Sequence, residues 1–270
     1  MPELPEVESV IRTLKKDIIG QKIIDLEIRY SKMILEDITS FKNHLINATF
    51  IDILRKGKFI IFKLDNGYFL ISHLRMEGKY FLEKKNSLDN KHIHVIFHLS
   101  DYDLYYQDVR KFGIMVTKDK NSLFNTHPLD KVANDPLEGI NEVDLFNKLK
   151  KKKNTIKEAL LDQSIISGLG NIYVDEVLFL SHINPKRCAN LVDLTDCKNI
   201  INYSKDIFLK SIELGGTTIK SFTSSKNHIG QFQNNLLVHT KEICPICKNK
   251  LEIIKIGGRS TYYCKICQSK

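Results

Sequence analysis

Two stretches at opposite ends of the chain carry residue types able to do chemistry. The first is Met1-Pro2-Glu3-Leu4-Pro5-Glu6-Val7-Glu8. Pro2 is small enough for the initiator Met to be trimmed, which would expose a secondary amine with Glu3 beside it. Such an amine attacks an aldehyde-like carbon and forms an iminium ion, and a neighbouring carboxylate carries the protons. The same residues suit a plainer task, because Pro2 and Pro5 also stiffen a helix entrance. The second stretch holds Cys244-Pro245-Ile246-Cys247 and Cys264-Lys265-Ile266-Cys267, two knuckles separated by a hairpin-length insert. Four thiolates so spaced surround one structural zinc and leave no open position for a catalytic water. Redox pairs and an iron site are the alternatives for this pattern.

Between these ends lie cations, histidines and one cation–aromatic pair. Lys58, in Arg55-Lys56-Gly57-Lys58, and His73, in His73-Leu74-Arg75-Met76-Glu77-Gly78, are placed to face phosphates. Equally, Lys58 suits a solvated strand position and His73 a local hydrogen bond. His92 and His94, at i and i+2, are expected on one strand face, with no third metal ligand beside them. In Asp108-Val109-Arg110-Lys111-Phe112-Gly113, Arg110 and Phe112 share a face, with Lys111 pointing the other way. Together with Met76 they make a wedge able to unstack a duplex, or else a core Phe, a gap-filling Met and a surface Arg. Further on, a glycine-containing turn joins two helices, with Asn171 placed to cap the second. The free N–H groups of that helix start, helped by Lys157 and Asn171, are phosphate donors. Arg259, beside the Gly257-Gly258 turn, is placed to reach a phosphate or groove.

Elements must position these groups. Val7, Val10, Ile11, Leu14 and Ile18 recur at helical spacing after an acidic first turn, so the chain should open on an amphipathic helix. Strands are expected over 22–29, 48–54, 59–64, 68–73, 93–99, 104–108 and 112–117. Asp65-Asn66-Gly67 marks a hairpin, and a charged loop covers 83–91. Closely spaced strands of this kind make an antiparallel sandwich or flattened barrel. Turn-rich residues 121–139 read as a linker, and helices follow over 142–149, 155–161, 171–179 and 194–214. The expected division is therefore a sandwich domain (1–120), a linker (121–139), a helical domain (140–235, with a polar segment over 217–235) and a cysteine module (236–270).

The chain has 270 residues, enough for two modest cores. Lys plus Arg number 41 against 32 Asp plus Glu, a formal charge of +9, which suits a polyanion: nucleic acid first, an anionic membrane surface second. No run approaches transmembrane length and no signal-peptide core precedes the helix, so a cytosolic protein is expected. In that reducing setting the clustered cysteines read as metal ligands rather than disulfides, while Cys188 and Cys197 stand apart.

Taken together these motifs resemble the formamidopyrimidine-DNA glycosylase family, bacterial enzymes that excise oxidised purines, and the resemblance spans essentially the whole chain. It is carried by Pro-Glu-Leu-Pro-Glu-Val-Glu at 2–8, Arg-Lys-Gly-Lys at 55–58, His-Leu-Arg-Met-Glu-Gly at 73–78 and Asp-Val-Arg-Lys-Phe-Gly at 108–113. Gly-Leu-Gly-Asn-Ile-Tyr-Val-Asp-Glu at 168–176 and the four cysteines complete it. The resemblance implies a multidomain α and β fold: an N-terminal β-sandwich with a leading helix, a helix-two-turns-helix domain and a zinc-finger hairpin, with duplex DNA between the halves. It implies Pro2 as nucleophile at C1′, Glu3 as proton carrier, and Lys58 near the reacting centre. His73, His92, Lys157, Asn171 and Arg259 become backbone contacts. Met76, Arg110 and Phe112 become the gap-filling trio, and Glu6 and Glu176 pocket-supporting acids. One structural zinc on Cys244, Cys247, Cys264 and Cys267, no organic cofactor, a monomer, and a bacterial cytoplasmic or nucleoid setting are further implications. His239 departs from the Tyr frequent after Leu-x-Val in the family. Leu4 and the 217–235 segment look like the purine-specific branch rather than the endonuclease VIII branch, which prefers oxidised pyrimidines.

Overall fold

The computed structural model describes residues 1–217 and 230–269. The chain divides into two compact units: Met1–Asp130 with Gly215–Gly230, and Lys131–Leu214 with Gln231–Lys270. This division differs from the expected four segments. The 121–139 stretch is split between the units rather than standing apart, and the helices share a unit with the cysteine hairpin.

The first unit opens with α1 (Leu4–Ile18) and continues through β1 (Asp25–Ile28) and α2 (Ile38–Leu45). Seven strands follow: β2 (Phe50–Lys56), β3 (Phe59–Leu64), β4 (Tyr68–His73), β5 (Lys79–Lys84), β6 (Ile93–His98), β7 (Tyr102–Gln107) and β8 (Ile114–Asp119). With β1 they form two four-stranded antiparallel sheets, ordered β1-β6-β7-β5 and β2-β3-β4-β8. Alternation sends Phe50, Phe62 and Leu70 from one sheet toward Tyr80, Val95, Phe97, Leu104 and Tyr106 of the other. Ring contacts of Phe62 with Tyr80 at 5.5 Å and Phe50 with Phe97 at 6.5 Å close the sandwich. The predicted stripe of α1 (Val7, Val10, Ile11, Leu14, Ile18) is buried in the same core, which fixes where the helix begins.

Two elements were not expected. β5 lies at a sheet edge, where Phe81 and Leu82 are only half buried, and its last two residues fall within the expected 83–91 charged loop. α2 has a sequence of poor helix formers, yet Asp37 caps it through Ser40 N–H at 2.9 Å and Phe41 and Leu45 are fully buried.

The second unit contains α3 (Glu142–Lys150), α4 (Ile156–Leu161), α5 (Asn171–Leu180), α6 (Leu194–Glu213) and the hairpin β9 (Glu252–Ile256)–β10 (Arg259–Tyr263). A Thr155/Glu158 capping box starts α4, and one from Asp193 and Asp196 starts α6. Helix α5 is buried on nearly every side, so its acids Asp175 and Glu176 need partners inside the protein. Among the described residues no helix is long and apolar enough to cross a membrane.

Candidate active site

The α1 entrance brings Pro2, Glu3 and Glu6 together, all buried. Glu3 and Glu6 form a reciprocal capping box: the Glu3 carboxylate accepts the Glu6 N–H, and Glu6 Oε2 accepts the Glu3 N–H at 2.9 Å. The other Glu6 oxygen accepts both Thr217 N–H, at 2.8 Å, and Thr217 Oγ1–H, at 2.9 Å. Glu6 thereby ties the start of the helix to the beginning of the polar 217–235 segment, of which residues 218–229 lie outside the described residues.

Lys58 follows Gly57, whose positive φ of 55° turns β2 into β3, and only 5% of Lys58 is exposed. His73 ends β4 and is 7% exposed. Its Nδ1 accepts the Arg75 N–H at 2.9 Å, so the ring proton sits on Nε2, which is left as a donor. Burial, then the charges of Arg75 and Lys58, hold its pKa down at about 3, so the ring is neutral at working pH. The expected shared face of His92 and His94 is corrected by a β-bulge between Ile93 and Val95. His92 precedes the strand and is half buried, whereas His94 is buried with Nε2 against Asp108 O at 2.8 Å.

Arg110 and Phe112 stand on the loop between β7 and β8, not on a strand. Asp108, fully buried, holds that loop: Oδ1 accepts Arg110 N–H, and Oδ2 accepts Phe112 N–H and Gly113 N–H, all at 2.8–3.0 Å. The Arg110 guanidinium lies 4.7 Å from the Phe112 ring centre, and Phe112 is 51% exposed. Lys111 diverges as expected, its ammonium sitting over the Tyr30 ring. Met76 is half buried on the turn after β4. Met1, Arg75, Met76, Arg110 and Phe112 line one open cavity of about 450 Å³. The residue preceding Pro2 and the three wedge candidates thus border the same space.

In the second unit, Lys157, expected as a phosphate donor, ties buried groups together inside the protein. It is 0% exposed, and its ammonium donates to Asp175 Oδ1 (2.7 Å), Thr261 Oγ1 (2.8 Å) and Ser260 O (3.2 Å). Asp175 Oδ2 takes His239 Nδ1–H at 2.8 Å and Tyr262 N–H at 3.2 Å. The departure at 239 therefore has an imidazole donor against a buried carboxylate. Glu176 accepts the N–H groups of Leu237, Val238 and His239 at 2.7–2.9 Å, and burial raises its pKa in spite of them. Asn171 is not the cap of α5. Gly170 holds that position, and Asn171 begins the helix with Nδ2 donating to Ser260 O at 2.9 Å. Arg259 is exposed beside a turn in which Gly257 and Gly258 both have positive φ, 54° and 75°.

The sulfurs of Cys244, Cys247, Cys264 and Cys267 all lie within 4.8 Å of one another. A tetrahedral zinc–thiolate centre with bonds of about 2.3 Å needs sulfur separations near 3.8 Å. Cys244 to Cys267 at 3.8 Å and Cys247 to Cys264 at 3.4 Å fit it. The four residues form one structural zinc site.

Asp108 and Asp175 escaped the sequence reading as organisers. Asp108 stood at the head of its own motif, and the acceptor two to five residues before Arg110, Phe112 and Gly113 was the available signal. Nothing local marks Asp175, whose partners are 18 to 87 residues away.

Comparison with known proteins agrees along the chain. Residues 1–115 match the formamidopyrimidine-DNA glycosylase N-terminal domain, 132–223 its H2TH domain, and 241–270 the zinc finger found in FPG and IleRS. The formamidopyrimidine-DNA glycosylase of Mycoplasma mobile is 45% identical over 272 residues, 99% of each chain. That of Listeria monocytogenes is 39% identical over 273 residues, covering 99% of this chain and 100% of the relative. The wild-type Lactococcus lactis protein in complex with N7-benzyl-Fapy-dG-containing DNA has a TM-score of 0.93 at 39% identity, with both chains fully covered. A complex of that protein with abasic-site DNA gives the same values. On fold, motif order and near-complete coverage, this chain belongs to the formamidopyrimidine-DNA glycosylase family.

Proposed function

We propose that this chain is a bifunctional DNA glycosylase and abasic-site lyase that removes oxidised purines, 8-oxoguanine and formamidopyrimidines, from duplex DNA in the bacterial cytoplasm. The observation that carries the reading is the cavity shared by Met76, Arg110, Phe112 and Met1, the residue bonded to Pro2. Removal of Met1 frees the Pro2 nitrogen at the edge of that space. The damaged nucleotide must leave the stack before C1′ can be reached, and Phe112, Met76 and Arg110 fill the gap it leaves. Pro2 then attacks C1′, the C1′–N bond breaks, and the departing base takes a proton. Pro2 loses its N–H proton and the C1′–O4′ bond opens, O4′ taking up a proton, and the iminium so formed acidifies the adjacent C2′. Glu3 carries protons through β-elimination and then δ-elimination, and hydrolysis returns the free amine. Lys58 contributes positive charge near the reacting centre. The neutral His73 offers Nε2–H, and His92, Asn171 and Arg259 offer further donors to the DNA backbone. Glu6 anchors the start of the base-covering segment. Zinc, held by the four cysteines, supplies folding energy to the hairpin that carries Arg259.

Paired duplexes carrying 8-oxoguanine opposite cytosine or thymine glycol test this reading. The account expects faster release of the purine, cleavage on both sides of the sugar, and loss of about 10²-fold or more in elimination for Glu3→Gln. Preference for thymine glycol would assign the chain to the pyrimidine branch. Tight binding of both duplexes without cleavage would make it a damaged-DNA-binding protein.

A further inference from the structure

The Tyr106 hydroxyl has no part in the chemistry above, and its position is unusual. Tyr106 lies on β7 and is 0% exposed, yet its hydroxyl has no hydrogen-bond partner among the described residues. A buried hydroxyl left this way costs free energy and calls for a reason. The oxygen stands between the two turns that carry the wedge. A side chain added at Gly113, which closes the Arg110–Phe112 loop, would place Cβ 1.8 Å from it. One added at Gly78, which closes the Met76 turn, would place Cβ 2.4 Å from it. The Tyr106 oxygen thus crowds both positions, with the Leu74 backbone (2.6 Å to its carbonyl oxygen) closing on Gly78 as well. The two turns share another feature: Arg75, preceding Met76, has φ of 52°, and Lys111, preceding Phe112, has φ of 58°. Non-glycine residues in that left-handed region store strain, which is relieved if the turn moves.

Asp108 Oδ2 is a carboxylate oxygen in the neighbourhood of that hydroxyl. It lies 3.3 Å from the same Gly113 Cβ position that the Tyr106 oxygen crowds. In this structure that carboxylate oxygen is taken by Phe112 N–H and Gly113 N–H. Burial and the nearby Tyr80 and Asp108 push the phenol pKa well above its usual value, so the hydroxyl keeps its proton for donation.

We propose that Tyr106 is a positioning residue for the wedge: when Phe112 enters the duplex its N–H leaves Asp108 Oδ2, and the Tyr106 hydroxyl donates to that oxygen in its place. One hydrogen bond breaks and one forms, so the loop moves without leaving the buried carboxylate short of a donor. Among the described residues the hydroxyl is unsatisfied in the free protein, and it is satisfied in the inserted state, which biases the equilibrium toward insertion. The inference rests on the reading of Met76, Arg110 and Phe112 as a DNA wedge.

Tyr106→Phe tests it, with 2-aminopurine placed beside 8-oxoguanine to report unstacking and with urea unfolding measured on the free protein. The proposal expects an unchanged or higher urea midpoint, because the variant loses only an unsatisfied group. It expects the inserted-to-stacked ratio to fall about tenfold, the scale of one hydrogen bond to a charged acceptor. A lower urea midpoint, or failure to fold, would mean the hydroxyl is already partnered in the free protein and would overturn the proposal. Equal fluorescence in variant and parent would overturn it too, while leaving the wedge reading intact. No fluorescence rise in the parent, despite tight binding, would overturn the wedge reading and this proposal with it.

Discussion

The His73 ring nitrogen that accepts the Arg75 N–H cannot take a proton without losing that bond, and burial beside Arg75 and Lys58 opposes the charge as well. With a pKa near 3 when folded and about 6.5 when unfolded, His73 binds a proton only in the unfolded chain across that window. Its contribution to stability is therefore full above pH 6.5 and is lost as pH falls toward 3, at up to about 1.4 kcal/mol per pH unit. Urea midpoints of the parent and His73→Gln, compared from pH 4 to 7, should converge as pH falls, because the variant lacks this term. Parallel curves would contradict the assignment. The candidacy of His73 was legible in its motif. Its neutrality was not, because that depends on burial and on an N–H two residues away. The four cysteines were legible for the opposite reason: their role as a ligand set follows from residue type and spacing alone.

At the scale of elements, one buried carboxylate on α5 gathers Lys157 of α4, His239 and the backbone of β10. Removing the ammonium would leave Asp175 buried without its cation, a change that costs ~3–5 kcal/mol. Lys157→Met should accordingly lower the unfolding free energy by that amount. A variant as stable as the parent but weakened toward DNA would restore Lys157 as a phosphate contact. The helices α1, α3, α5 and α6 and the strands β3 and β4 were readable within a residue or two. Edge strand β5 and the short α2 were not, because their neighbours rather than their own patterns stabilise them. The exchange of Asn171 for Gly170 at the α5 cap has the same origin: the Asn171 amide is drawn to Ser260 O.

Across the whole molecule, a formal charge of +9 predicts binding that weakens steeply with salt. Arg259, exposed at the hairpin tip, should contribute about one unit to the slope of log K against log salt concentration. Arg259→Ala should lower the slope by that amount and weaken matched and damaged duplexes alike. An unchanged slope would remove Arg259 from the phosphate contacts. The central claim concerns a single nitrogen. Borohydride reduction of the Met-processed protein on a duplex with 8-oxoguanine opposite cytosine, followed by peptide mapping, tests it most directly. A covalent adduct on the Pro2 nitrogen is the expected result. An adduct on a lysine, or none with either this duplex or an abasic one despite tight binding, would contradict it.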